Sequence, residues 1–172
     1  PIEGTYPTAY MWQDILQADN LIDIITNFIK RFWDDEDNAY KVIFPRFHQL
    51  RCVKMLRDEC LKNGAGHDYL IEHSAGSGKT KTMTWLAEQL TNLTKDGKPI
   101  YDTVVMVTDR IVLNGNMADE VNALIKTPGL VKDIRRGSKN LATAIDEGYR
   151  IIVSTVQKYA YALNTLKRDK HR

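Results

Sequence analysis

Two cysteines, Cys52 and Cys60, are all that the 172 residues contain. They stand eight apart in one helical stretch, match no metal-ligand spacing and are badly placed to bridge. A disulfide framework is therefore excluded, and a reducing, cytoplasmic setting is expected. His48, His67 and His73 have no second histidine or cysteine at ligand spacing, so no metal centre of that kind is expected either. No apolar run approaches the roughly 18 residues of a membrane span, and the first residues lack a signal-peptide pattern, so no membrane partner is expected. Internal repeats and low-complexity segments are also missing. Neither sign of charge prevails: 24 basic side chains face 22 acidic ones, a net charge of +2. That balance alone does not argue for a polyanionic partner, which needs charge clustered on one face.

What is present is an ordinary soluble composition, 43% hydrophobic and 27% charged, which excludes disorder and collagen-like structure. The length suits one domain with a core of its own. The chain opens at "PIEGTYPTAY" without a methionine and stops in "LKRDKHR", so it reads as part of something longer. Helical spacing runs from Ala9 to Trp33, with Leu21, Ile25, Phe28, Ile29 and Phe32 on one stripe and Asp19 or Asn20 as an internal N-cap. The polar run Asp34 to Asn38 makes a break, so residues 1–38 are expected to form a helical connector and 39–172 the main domain.

In that domain a helix follows Pro45, with Leu50, Val53, Leu56 and Cys60 on one side and Gly64 or Gly66 at its end. "HDYLIEH" predicts a short buried strand, and a helix follows from about Lys79 to Leu93. "YDTVVMVTD" predicts a second strand, continuous and β-branched as central parallel strands are. "MADEVNALIK" and "SKNLATAIDEG" predict helices, the latter capped by Ser138 and closed by Gly148, and "YRIIVSTVQKY" predicts a third strand. Alternating strands and helices imply an α/β fold with a parallel sheet covered on both faces. Ligands bind such sheets beyond the carboxyl ends of the strands, where the loop at 73–80 and "TDR" at 108–110 should meet.

"HSAGSGKT", His73 to Thr80, carries the strongest chemistry. Gly76 and Gly78 allow a sharp turn, so that the amides of Ser74, Ala75, Gly76, Ser77 and Gly78 face one concavity at a helix start, an anion nest. Lys79 reaches the β- and γ-phosphates, and the Thr80 hydroxyl joins the shell of a nucleotide-bound Mg²⁺. His73 stands where the usual pattern begins with glycine. Upstream, Gln49 offers a donor and an acceptor to an adenine edge, which selects ATP, and Arg46 or Phe47 can stack on the ring; the bland alternative makes Gln49 a surface helix residue.

Together "FPRFHQ", "HSAGSGKT", "VMVTDR" and "IIVSTVQKY" resemble the motor of the restriction (R) subunit of type I restriction enzymes, a superfamily 2 DNA translocase. The resemblance runs over roughly residues 5–160 and implies part of a P-loop, RecA-like domain preceded by a helical connector. It further implies ATP and Mg²⁺ as cofactors, double-stranded DNA as the track, and methyltransferase and DNA-specificity subunits as partners. Cleavage away from the recognition site would be the work of a nuclease domain elsewhere in the parent. Carried over by position, the nucleotide contacts fall on Gln49, Gly76, Gly78, Lys79 and Thr80. DNA contacts fall on Thr108, Asp109 and Arg110 and, in the following motif that starts at Ser154, on Thr155, Gln157 and Lys158.

The chain departs from the pattern after "TDR", where "LNGNM", Leu113 to Met117, replaces an acidic and a basic side chain. It also has no strand ending in the Asp-Glu pair that anchors Mg²⁺ and orients water. Asp109, followed by Arg110, is read as a cap or loop residue, with the magnesium carboxylate as the alternative. These residues alone are therefore expected to bind nucleotide without turnover. Another superfamily 2 DNA or RNA helicase, or a non-catalytic nucleotide-binding module, are the competing readings. The terminal "LKRDKHR" is expected to be a solvated helix end, and "DIRRGSK" a candidate DNA-facing loop.

Overall fold

Two β-branched runs assemble the sheet. In the structure, a computed structural model that describes residues 6–34, 37–109, 111–125, 127–134 and 139–159, strands β5 (Val104–Thr108) and β7 (Ile151–Thr155) pair in parallel. β6 (Val131–Asp133) pairs with the other edge of β7, so the three-stranded sheet has the order β5-β7-β6. β7 is central, and all five of its residues are buried. Because side chains alternate across a strand, Ile151 and Val153 face one layer and Ile152 the other. The first layer joins Ala87 of α3 (Lys79–Thr91), Met106 of β5, and Met117, Ala118 and Val121 of α4 (Ile111–Leu124). The second sets Ile152 against Ile134 and against Leu141 and Ala144 of α5 (Lys139–Asp146). This is the expected α/β arrangement, a parallel sheet with helices on both faces.

Helix α2 (Phe47–Asn63) buries Leu50, Val53, Leu56 and Cys60, as their spacing predicts, and also Gln49. It begins two residues after Pro45, and the amide of Gly64, at φ +78°, closes it on the Cys60 carbonyl at 2.9 Å. Both cysteines are free thiols.

Several expectations fail for physical reasons. Residues 67–73, predicted as a strand, form none: no strand of the sheet pairs with them, and without a ladder for its N–H and C=O groups an extended segment is not a strand. Leu70 in that segment is 99% exposed. β6 was not anticipated, since three residues are too few to show a period. A small hairpin, β3 (Thr94–Lys95) with β4 (Lys98–Pro99), turns on Asp96 and Gly97. Both have positive φ, the Asp-Gly turn that matches strand twist. α4 begins at Ile111, earlier than "MADEV" suggests, so "LNGNM" lies inside a helix.

The chain divides into two units, one ending at Arg46 and one beginning at Phe47. The first unit is not one long helix. A π-helical segment (Met11–Ile15) leads to α1 (Ala18–Asn27), and the chain then reverses through an antiparallel hairpin of β1 (Lys30–Asp34) and β2 (Ala39–Ile43). Gln17, not Asp19 or Asn20, is the N-cap of α1. Ile24 within it and Phe28 at its C-cap are buried, whereas Leu21 and Ile25 are exposed. The polar break therefore lies between two paired strands, with Asp34 and Ala39 as register partners, and Lys41 bridges Asp34 at 2.6 Å and Asp37 at 2.5 Å. The hydrogen bonds that the ammonium donates to those carboxylates, Asp34 first, raise the Lys41 pKa above its usual range. Among the described residues no helix is long and apolar enough to cross a membrane.

Leu141→Ala should cost about 2–5 kcal/mol of stability, the range for emptying a packed leucine site. Leu70→Ala should change it by less than about 0.5 kcal/mol, as exposed positions do. Urea denaturation of the two variants checks both.

Candidate functional site

Two left-handed glycines shape the loop ahead of α3. Gly76 has φ +72° and Gly78 +82°, conformations that cost other residues roughly 1–2 kcal/mol. Gly78 is the N-cap of α3 and, lacking a side chain, offers its own helix no side-chain cap. The leading N–H groups of α3 thus keep the donors that an anion takes, at the positive end of the helix. The Ser77 amide donates to the Ser74 carbonyl at 3.3 Å, closing the turn. Thr82 holds the Gly78 carbonyl from the next helical turn through its amide (3.1 Å) and hydroxyl (3.2 Å).

Lys79 is exposed, and its ammonium arches back over the loop, donating to the carbonyls of His73 at 2.7 Å and Ser74 at 2.9 Å. Thr80 is half-buried beside it. Ser77 is buried, and its hydroxyl has no hydrogen-bond partner among the described residues.

The first turn of α2 lies under this loop. Gln49 is only 3% exposed and its amide nitrogen donates to the Gly78 carbonyl at 3.0 Å and the Ser77 carbonyl at 3.4 Å. His48 Nε2 donates to the same Ser77 carbonyl at 3.0 Å, and its ring stands edge-on to that of His73 with centroids 5.2 Å apart. The positive φ favours glycine at 78, and a Cβ there would lie 2.7 Å from Gln49 Nε2, so that amide would have to shift off the loop. Gln49 is thus a buried loop contact, neither a surface residue nor one whose donor faces away from the loop. Phe47 is 58% exposed, and Arg46 is exposed as the last residue of the other unit. Sequence reasoning passed over His48, weighing it only as a metal ligand; its place directly before Gln49 was the available signal.

The carboxyl edge of the sheet gathers the second set of candidates. Thr108 and Thr155 are register partners at the ends of β5 and β7, and both are buried. Asp109 is exposed, and its carbonyl accepts from Gln157 Nε2 at 3.5 Å, while Lys158 Nζ donates to the Ile134 carbonyl at 2.5 Å. Ser154 is buried on the α5 side, its hydroxyl without a partner among the described residues. Arg110, the basic terminal run and residues 135–138 of "DIRRGSK" lie outside the described residues. Among the described residues no three His, Cys, Asp or Glu side chains converge as a metal site, with Asp109 or otherwise.

Over residues 48–171 the sequence matches the SWI2/SNF2 ATPase family. The chain belongs to that family. It is also similar to a putative type I restriction enzyme MjaVIIIP endonuclease subunit of Methanocaldococcus jannaschii, at 28% identity over 163 residues. That alignment takes in 80% of this chain but only 16% of the relative, so the chain spans less than a fifth of that protein's length. No solved structure matches. The SWI2/SNF2 ATPase match starts at His48, on the first turn of α2. It therefore takes in the side chains beneath the loop, the loop itself and the sheet, and leaves out the unit ending at Arg46.

In this SWI2/SNF2 ATPase domain, Gly78→Ala should destabilise the fold by about 1–3 kcal/mol, through positive-φ strain and the Gln49 clash. Adding Gln49→Ala should return only the part due to the clash. Thermal unfolding of the single and double variants measures the split.

Proposed function

We propose that this chain is the ATP-binding part of a motor that moves along double-stranded DNA within a type I restriction enzyme. The observation that carries this reading is the loop at 74–80: two left-handed glycines, an uncapped helix start and the Lys79 ammonium at one point. The likeness to a restriction endonuclease subunit supplies the biological setting. In the proposed mechanism the β- and γ-phosphates take the place of the two carbonyls that now hold Lys79. Ammonium-to-phosphate bonds are charge-assisted and stronger than ammonium-to-carbonyl ones, so the exchange is favourable. The amides of Gly76, Gly78 and Lys79 would serve the phosphates, and the unpartnered Ser77 hydroxyl is a polar surplus that a bound oxyanion would satisfy.

The residues fit a magnesium ion that arrives with the nucleotide better than one held by the protein. Thr80 would contribute a hydroxyl to its shell, and the ion would supply charge stabilisation at the phosphates. Phosphoryl transfer is mostly positioning and charge stabilisation, and a water-orienting carboxylate has no counterpart in these residues. The chain by itself therefore binds ATP and turns it over negligibly.

Thr108, Asp109, Arg110, Thr155, Gln157 and Lys158 are proposed as the track side of the motor. Contacts there would go to DNA phosphates, which position a duplex without reading its sequence, as a translocating protein needs. In this reading the unit ending at Arg46 is the connector, the nuclease and the second motor domain lie elsewhere in the parent, and methyltransferase and specificity subunits complete a cytoplasmic complex.

Lys79→Ala should weaken MgATP binding by about 10- to 100-fold, the range for losing a hydrogen bond to a charged group. Calorimetry on wild type and variant, run beside a phosphate-release assay, tests it. Equal affinities would remove Lys79 from the site, and brisk turnover by these 172 residues would contradict the assignment of the missing carboxylate.

A further inference from the structure

His48 has no part in the reading above, yet it touches the loop at two places. Its Nε2 lies 3.0 Å from the Ser77 carbonyl, and its ring meets the ring of His73 edge-on. A carbonyl oxygen only accepts, so Nε2 must carry a hydrogen, which sets the ring's role as donor. The peptide unit then transmits the contact. Ser77 C=O and Gly78 N–H belong to one planar trans amide, so holding the carbonyl toward α2 turns the Gly78 N–H the opposite way. Gln49 does the same for the next unit: its hold on the Gly78 carbonyl orients the Lys79 N–H. Two neighbouring side chains of one helical turn thus set two successive amides of the loop.

We propose that His48 is a positioning residue of the phosphate loop, holding the Ser77–Gly78 peptide so that its N–H faces the nucleotide phosphates. The inference rests on the nucleotide reading and deepens it. His73 completes the device. It occupies the place where such loops usually begin with glycine, and its ring packs against His48, bracing the loop at its start while the hydrogen bond braces it near its end.

Two substitutions separate the contacts. His48→Phe keeps a ring for His73 but loses the donor; His48→Gln keeps a donor for the Ser77 carbonyl and loses the ring. ADP affinity of the 172-residue chain is measured by calorimetry, and hydrogen exchange at the Gly78 amide is followed by NMR without nucleotide. His48→Phe should weaken ADP binding about tenfold, the upper end for a neutral hydrogen bond, and speed exchange at Gly78. His48→Gln should lie within about threefold of wild type in both readings, since the donor is what it retains. Wild-type ADP affinity in His48→Phe, or a His48→Gln variant as weak as His48→Phe, overturns the proposal. Should the wild type bind no ADP, the nucleotide reading fails, and the exchange rates alone then decide: unchanged exchange in His48→Phe rules out the peptide hold.

Discussion

Hydrogen bonds from the first turn of α2 to the carbonyls of Ser77 and Gly78 connect a helix to the one loop where the chain's chemistry is concentrated. A loop with two left-handed glycines has little stiffness of its own, because glycine is the residue that loses most freedom on ordering. Its shape must come from outside. α3 supplies one end, through the double contact of Thr82 to the Gly78 carbonyl, and α2 supplies the underside. With both in place the carbonyls of Ser77 and Gly78 are held by α2 and α3, which fixes the two peptide units that lead into α3.

The helices can do this because the sheet holds α3 in place. Ala87 of α3 sits in one cluster with Met106 of β5 and Ile151 and Val153 of β7, all nearly inaccessible to solvent. Arg150, just ahead of β7, donates to the carbonyl of Thr91 at the end of α3, tying the far end of that helix to the central strand. The nearly complete burial of β7 also brings Thr108 and Thr155 side by side at the carboxyl edge. Gln157 reaches the carbonyl of Asp109 there, and Lys158 that of Ile134, so the turn after β7 is fastened to the ends of both neighbouring strands. Of the residues assigned to the DNA motifs from the sequence, Gln157 and Lys158 make these two hydrogen bonds.

The segment before the loop is the exception to this order. Residues 67–73 have the composition of a buried strand, yet no sheet strand pairs with them, and Leu70 lies open to solvent. With Tyr69 and Ile71 it walls a cavity of about 380 Å³ with Cys52, Leu56, Met83 and Leu86, residues of α2 and α3. Apolar surface gathered there is surface the three-stranded sheet does not cover.

The amino-acid order by itself determined whatever depends on neighbours close along the chain. The helical face of α2, the helix α3, the β-branched strands β5 and β7, the class of fold and the glycine-lysine loop are local patterns of period and conformational freedom, and they survive into the structure. Elements whose existence depends on a distant partner were decided only by the tertiary structure. β6 is too short to carry a period, "HDYLIEH" has the right residues but pairs with no strand, and the stretch after Asn27 left its helix to form a hairpin with residues 39–43. The same holds at the site. Gly76, Gly78, Lys79 and Thr80 could be read from their order, but Gln49 buried against the Gly78 carbonyl and His48 on that of Ser77 join positions nearly thirty residues apart. A hydrogen bond across that span depends on two helices packing together, and packing is a property of the folded chain, not of either segment.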